Sequence, residues 1–84
     1  MYFVYLLLCK DRTIYTGIAI DLDKRLIQHK KGLASRYTRA HKAVRFIYNE
    51  KYPNRGEALK RELQIKGWPR KEKLNLVKFG KLPV

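Results

Sequence analysis

The sequence predicts an α+β fold: a small three-stranded antiparallel sheet flanked by helices, in the order β-β-α-β-α with a possible final α. Two observations carry this. Apolar and β-branched runs cluster early in the chain, at Tyr2–Cys9, Thr13–Thr16 and Val44–Tyr48. Between and after them lie stretches of helical periodicity opened by Asp21 and Asn54. A hairpin plus a third strand, with helices packed on it, is an α+β arrangement. All 84 residues are read as one domain, since a chain this short has no room for a second core.

The first strand is Tyr2-Phe3-Val4-Tyr5-Leu6-Leu7-Leu8-Cys9, an almost unbroken apolar run that predicts burial on both faces. Lys10-Asp11-Arg12 is a turn. Thr13-Ile14-Tyr15-Thr16 is β-branched and aromatic, and predicts a second strand ended by Gly17. The pair forms a hairpin that brings Tyr5 and Tyr15 close together. Asp21 is a helix cap and Gly32 a stop, which predicts a helix over about Leu22 to Lys31. Ser35 to Lys42 reads as a basic loop, and Val44 to Tyr48 as a third strand. Asn54 caps a helix over about Arg55 to Lys66, which Gly67-Trp68-Pro69 breaks. Arg70 to Lys78 fits either a short helix or an extended tail.

Composition narrows the function. The net charge is +13, from 20 Lys and Arg against 7 Asp and Glu. Self-repulsion at this level destabilises a compact chain, and the usual reason to carry it is a polyanionic partner. A nucleic acid is the expected one. No segment approaches the ~20 apolar residues that span a bilayer, so no membrane role is expected. The apolar start is too short for a signal peptide and lacks a basic leader. The single cysteine, Cys9, excludes an internal disulfide and a cysteine-based zinc site, and reads as a core residue. A cytoplasmic location is expected.

Five residues supply candidate chemistry: Tyr5, Tyr15, Arg25, His29 and Glu62. On a helical wheel, Glu62 falls in the apolar arc defined by Ala58, Leu59, Leu63 and Ile65, while Glu57 falls opposite. A carboxylate on a core-facing stripe is costly unless it is paired or holds a metal. Lys66, four residues on, is the possible ion-pair partner. Arg25 and His29 share a helix face one turn apart, with His29 toward the sheet. Each also has a plain reading, as a solvated charge and a core histidine. Tyr5 and Tyr15 could be core aromatics. A phenol serves as a base only if its pKa, near 10, is pulled down by a cation.

Phe3-Val4-Tyr5, followed ten residues on by Tyr15-Thr16-Gly17, resembles the two halves of the GIY-YIG nuclease signature. The stretches Asp21 to His29 and Glu57 to Glu62 also resemble that family, as does the Ser-x-Tyr-Thr-Arg run at Ser35 to Arg39, typical of its small stand-alone bacterial members. Phe3, Val4 and Thr16 stand where the signature has glycine, isoleucine and isoleucine. The resemblance implies a metal-dependent endonuclease acting on DNA. Tyr5 and Tyr15 take the motif tyrosines, Arg25 the phosphate-contacting arginine, His29 the position one turn on, and Glu62 the ligand of one Mg²⁺ or Mn²⁺. Tyr5 is favoured over Tyr15 as the base, the two roles remaining interchangeable, with His29 relaying a proton or orienting a phenol. Arg36, Tyr37, Thr38, Arg39 and Lys42 are expected to contact nucleic acid. The alternative is a basic module that keeps the fold, binds DNA or RNA and does not cut.

Overall fold

A computed structural model of the chain describes residues 1–80. Three strands, β1 (Tyr2–Cys9), β2 (Ile14–Ala19) and β3 (Ala43–Tyr52), form one antiparallel sheet in the order β2-β1-β3. Four helices accompany it: α1 (Leu22–Lys30), α2 (Arg36–His41), α3 (Arg55–Lys66) and α4 (Arg70–Phe79). The fold class is the predicted one.

β1 is the central strand, which accounts for its unbroken apolar run. Val4, Leu6, Ile14, Ala58, Ile65 and Leu76 form one core, between the sheet and the α3 and α4 helices. Tyr5, Leu7 and Ala19 form the other, packed with Leu22 and Leu26 of α1. Helices on both faces therefore make an antiparallel strand read like a parallel one.

The caps follow the sequence. The Asp21 carboxylate accepts from the Lys24 N–H at 3.0 Å, and the Asn54 side-chain oxygen accepts from the Glu57 N–H at 3.0 Å. Asn54 Nδ2 also donates to Glu57 Oε2 at 3.0 Å, so the cap is reciprocal.

Three boundaries differ from the sequence reading, and one open alternative is decided. The stretch Ser35–Lys42 is not a loop: Arg36–His41 is helical, with the Ser35 hydroxyl accepting from the Thr38 N–H at 3.0 Å. Six residues are too few to show a helical period. β2 runs past Gly17 to Ala19, because Gly17 pairs in register with Tyr5. β3 is ten residues long, and its register against β1 shifts twice. Arg70–Phe79 is a helix, fixed by Leu76 in the core. Leu63, placed in the apolar arc of α3, is 63% exposed.

A second polar centre went unread in the sequence. Glu50 on β3 is 7% exposed. It accepts from the Tyr48 and Tyr52 hydroxyls at 2.6 Å each, and from Arg61 Nε and Nη2 at 2.8 and 3.0 Å. Arg61 lies over the Trp68 ring and donates from Nη1 to Gln64. Every lone pair of the carboxylate faces a donor, so β3, α3 and the Trp68 turn after α3 are tied at one point.

Candidate active site

The site is built on the β1–β2 hairpin. Tyr5 pairs with Gly17, and its phenol lies across the glycine. A Cβ on Gly17 would sit 2.5 Å from Tyr5 Cζ and 2.9 Å from Tyr15 Cε2. The glycine of the second motif half is thus the opening through which Tyr5 reaches across the edge strand. Gly17→Ala is expected to displace the Tyr5 ring and lower nuclease activity about 10²-fold, as small misplacements of reacting groups do. Unaltered cleavage rates would show that the crossing is unimportant.

Tyr5 is 1% exposed, and its hydroxyl lies 2.7 Å from His29 Nε2. His29, also 1% exposed, reaches Thr38 Oγ1 through Nδ1 at 2.7 Å. Thr38 Oγ1 lies 2.8 Å from the Ser35 hydroxyl. The phenol is the strongest acid in this chain, so Tyr5 donates to Nε2, and Nδ1–H donates to Thr38. Thr38, expected to contact nucleic acid, is 1% exposed, and its hydroxyl lies against the His29 ring and fixes it.

Burial pushes the Tyr5 phenol well above its usual range. Tyr15 adds to this, Arg25 opposes it, and Glu62 adds again. Tyr15, Arg25 and Glu62 are therefore within electrostatic reach of this hydroxyl. Contrary to the sequence expectation, the guanidinium does not win: desolvation does. His29 moves the other way. Burial, and then Arg25, lower it from 6.5 to about 4, so the imidazole is neutral at pH 7 and its Nε2 lone pair can accept the Tyr5 hydrogen bond.

Tyr15 is half-buried, with its ring 6.3 Å from Tyr5 and 5.3 Å from His29. Tyr37 lies 5.7 Å from Tyr15 and stacks on His41 at 4.1 Å. His41, left out of the sequence constellation, is hydrogen-bonded to Asp11. Arg25 lines a cleft of about 340 Å³ together with Arg55. Arg55 is a cation that the sequence could not assign, since nothing in its spacing marks it.

Glu62 is 6% exposed on α3, between Ala58 and Ile65, both fully buried. Lys66 Nζ is 3.5 Å from its Oε2, so the ion pair weighed from the sequence also exists. Lys66 is half in water, where such pairs contribute little. Among the described residues no three His, Cys, Asp or Glu side chains converge as a metal site. A lone carboxylate fits a hard cation such as Mg²⁺, which takes one or two protein ligands plus substrate phosphate and water. Thr16 bears the one buried, unpartnered side-chain polar atom among the described residues, on the strand beside this helix. The hydroxyl is the cost of a threonine where the signature has isoleucine.

The family model of the GIY-YIG catalytic domain matches residues 1–75. The chain belongs to the GIY-YIG family. The UPF0213 protein of Staphylococcus saprophyticus is 40% identical over 79 residues, covering 94% of this chain and 96% of that one. The UPF0213 protein of Staphylococcus aureus is 42% identical over 77 residues, covering 92% and 94%. The solution NMR structure of the UPF0213 protein of Bacillus halodurans superimposes with a TM-score of 0.61 at 34% identity, covering 99% of this chain and 89% of that one. GIY-YIG proteins form a nuclease superfamily, so nucleic acid is the substrate class the family implies, with a divalent metal as its general requirement. The chain's excess of 13 positive charges suits that substrate. No helix among the described residues is long and apolar enough to cross a membrane.

Proposed function

We propose that this GIY-YIG protein is an endonuclease that hydrolyses phosphodiesters in DNA with one divalent ion, Mg²⁺ or Mn²⁺. The observation that supports it best is the buried Tyr5–His29–Thr38 chain, which leaves a neutral imidazole bonded to a phenol beside Arg25 and Glu62.

In this reading water attacks the phosphorus from the Tyr5 side. As the new O–P bond forms, the water proton passes to the Tyr5 oxygen and the Tyr5 proton passes to His29 Nε2. No free phenolate is required, which removes the difficulty of a phenol pushed up by burial. The imidazolium is held by Thr38; after the cut its proton goes back to Tyr5 as Tyr5 releases its own to solvent, which restores both groups. The P–O bond to the leaving oxygen breaks, and that oxygen takes a proton from solvent. Arg25, with Arg55 beside it, offsets charge on the phosphoryl oxygens. Tyr15 orients the attacking water. Glu62 would hold the divalent ion, which supplies Lewis acidity at the phosphoryl group. Arg36, Tyr37, Arg39 and Lys42 contact the strand beyond the scissile phosphate.

The proton acceptor can be checked directly. The unfolded chain binds a proton at His29 from about pH 6.5 downward, but the folded chain does so only near 4. Stability is therefore full above 6.5 and falls as pH drops through this window. The His29 imidazole signals should titrate near pH 4, and the melting temperature should fall between pH 6.5 and 4. A midpoint near 6.5 would show that the His29 ring is not withdrawn from water as described.

A plasmid-nicking assay with Mg²⁺, and with chelator, tests the function itself. Nicking only with the metal supports the enzyme. DNA binding without nicking in either condition favours the non-catalytic module, for which the Glu62–Lys66 pair would be purely structural.

A further inference from the structure

On the far side of His29 from Tyr5 lies a cleft of about 500 Å³. Its basic side chains come from four places: Lys10 after β1, Lys30 and Lys31 at the end of α1, Arg39 on α2, and Lys42 before β3. His29 and Thr38 also line it. Cations at the end of α1 suit the negative pole of that helix, which explains Lys30 and Lys31. It does not explain the other three.

None of the chain's seven acidic side chains lines this cleft. Asp11 is engaged by Thr13 and His41, Asp21 and Glu57 serve helix caps, Glu50 is held by Arg61, and Glu62 by Lys66. Asp23 and Glu72 sit in the first turns of α1 and α4. Five like charges therefore converge with no counter-charge among the described residues.

The backbone is shaped to bring them together. Gly32 has φ +76°, and a Cβ there would lie 3.1 Å from Arg39 Cγ, so the glycine lets Arg39 lie against the end of α1. Lys42 has φ +65°, a left-handed conformation unusual for lysine. It is pinned from both sides: its N–H donates to the Thr38 carbonyl at 2.9 Å, and its carbonyl accepts from the Lys10 N–H at 2.8 Å.

We propose that this cleft is a second phosphate-binding site, distinct from the scissile one. The phosphate comes either from the nucleic-acid backbone away from the cut or from a free oligophosphate. Only the first source rests on the nuclease reading. Occupancy needs no hydrolysis, so the test is made in chelator, where failure of the cleavage mechanism cannot affect it.

Inorganic tripolyphosphate is titrated into the ¹⁵N-labelled protein. The expected result is saturable shifts of the Lys31, Gly32 and Lys42 amides and of the His29 imidazole, because His29 lines the cleft. A duplex oligonucleotide is then added. Reversal of the tripolyphosphate shifts assigns the site to backbone phosphate, and their persistence assigns it to a free oligophosphate. In parallel, Lys31→Gln/Arg39→Gln/Lys42→Gln should lose the tripolyphosphate response, while Lys51→Gln/Lys60→Gln/Lys71→Gln, all exposed elsewhere, should keep it. If the backbone is the source, the first triple should also flatten the dependence of log K on log salt by about 2–3 units. Non-saturating shifts spread over surface lysines, or equal effects of the two triples on tripolyphosphate binding, would overturn the proposal.

Discussion

Tyr5→Phe is expected to cut DNA about 10²–10⁴-fold more slowly than the parent protein, the usual range for losing a general acid–base group. The fold and the DNA affinity should persist. The ring stays in place, 4.9 Å from Phe46 and over Gly17, and only the oxygen is lost. That oxygen is buried and bonds to a buried imidazole, so its removal leaves His29 Nε2 without a donor. A small loss of stability is therefore expected alongside the large loss of rate. Single-turnover cleavage and a thermal melt separate the two. Full activity in Tyr5→Phe with loss in Tyr15→Phe would exchange the roles of the phenols. Full activity in both would end the phenol relay.

Glu50→Gln should give the largest loss of stability, with little effect on the site chemistry. The carboxylate is 7% exposed and accepts from Tyr48, Tyr52 and the Nε–Nη2 edge of the Arg61 guanidinium. Burial raises its pKa, but the hydrogen bonds from Arg61, Tyr48 and Tyr52 outweigh this and hold it below its usual value. Neutralising it leaves Arg61 uncompensated. Breaking a buried pair costs about 3–5 kcal/mol. About a quarter of the Arg61 side chain remains in water, which puts the loss near the lower figure. In a domain of this size that is a fall on the order of 15 °C in Tm. The sign with pH follows from the lowered pKa. The contribution is present above about 4.5 and is lost as pH falls through the lower value of the folded state. A melt unchanged by Glu50→Gln at pH 7 would show that β3 and α3 are held by packing alone.

Much of this was legible in the sequence where a period was long enough to read. The run Tyr2–Cys9 announced a strand buried on both faces, and β1 is the central strand. The wheel placed Glu62 toward the core, and it is buried between Ala58 and Ile65. Asp21 and Asn54 announced their helices because a capping side chain leaves a local signal. What stayed hidden depends on contacts between distant elements. α2 is one short turn system whose apolar content gives no stripe, so Thr38 was placed on the surface instead of behind His29. Glu50 looked like one acid among strand residues, because its partner Arg61 is 11 residues away on another element. The direction of the Tyr5 shift could not be read either. Sequence shows which charges are near, but not how completely the phenol is removed from water, and here that burial dominates.

The most direct test of the account is metal-dependent cleavage by Glu62→Gln, read together with its melting temperature. The change removes a nearly buried negative charge with little change of shape, and Lys66, half in water, tolerates the loss. The variant is expected to melt no lower than the parent protein, bind DNA at least as well, and lose Mg²⁺-dependent nicking. A large fall in melting temperature, with nicking absent from the parent protein as well, would contradict the catalytic role of Glu62 and leave a basic module built on a nuclease fold.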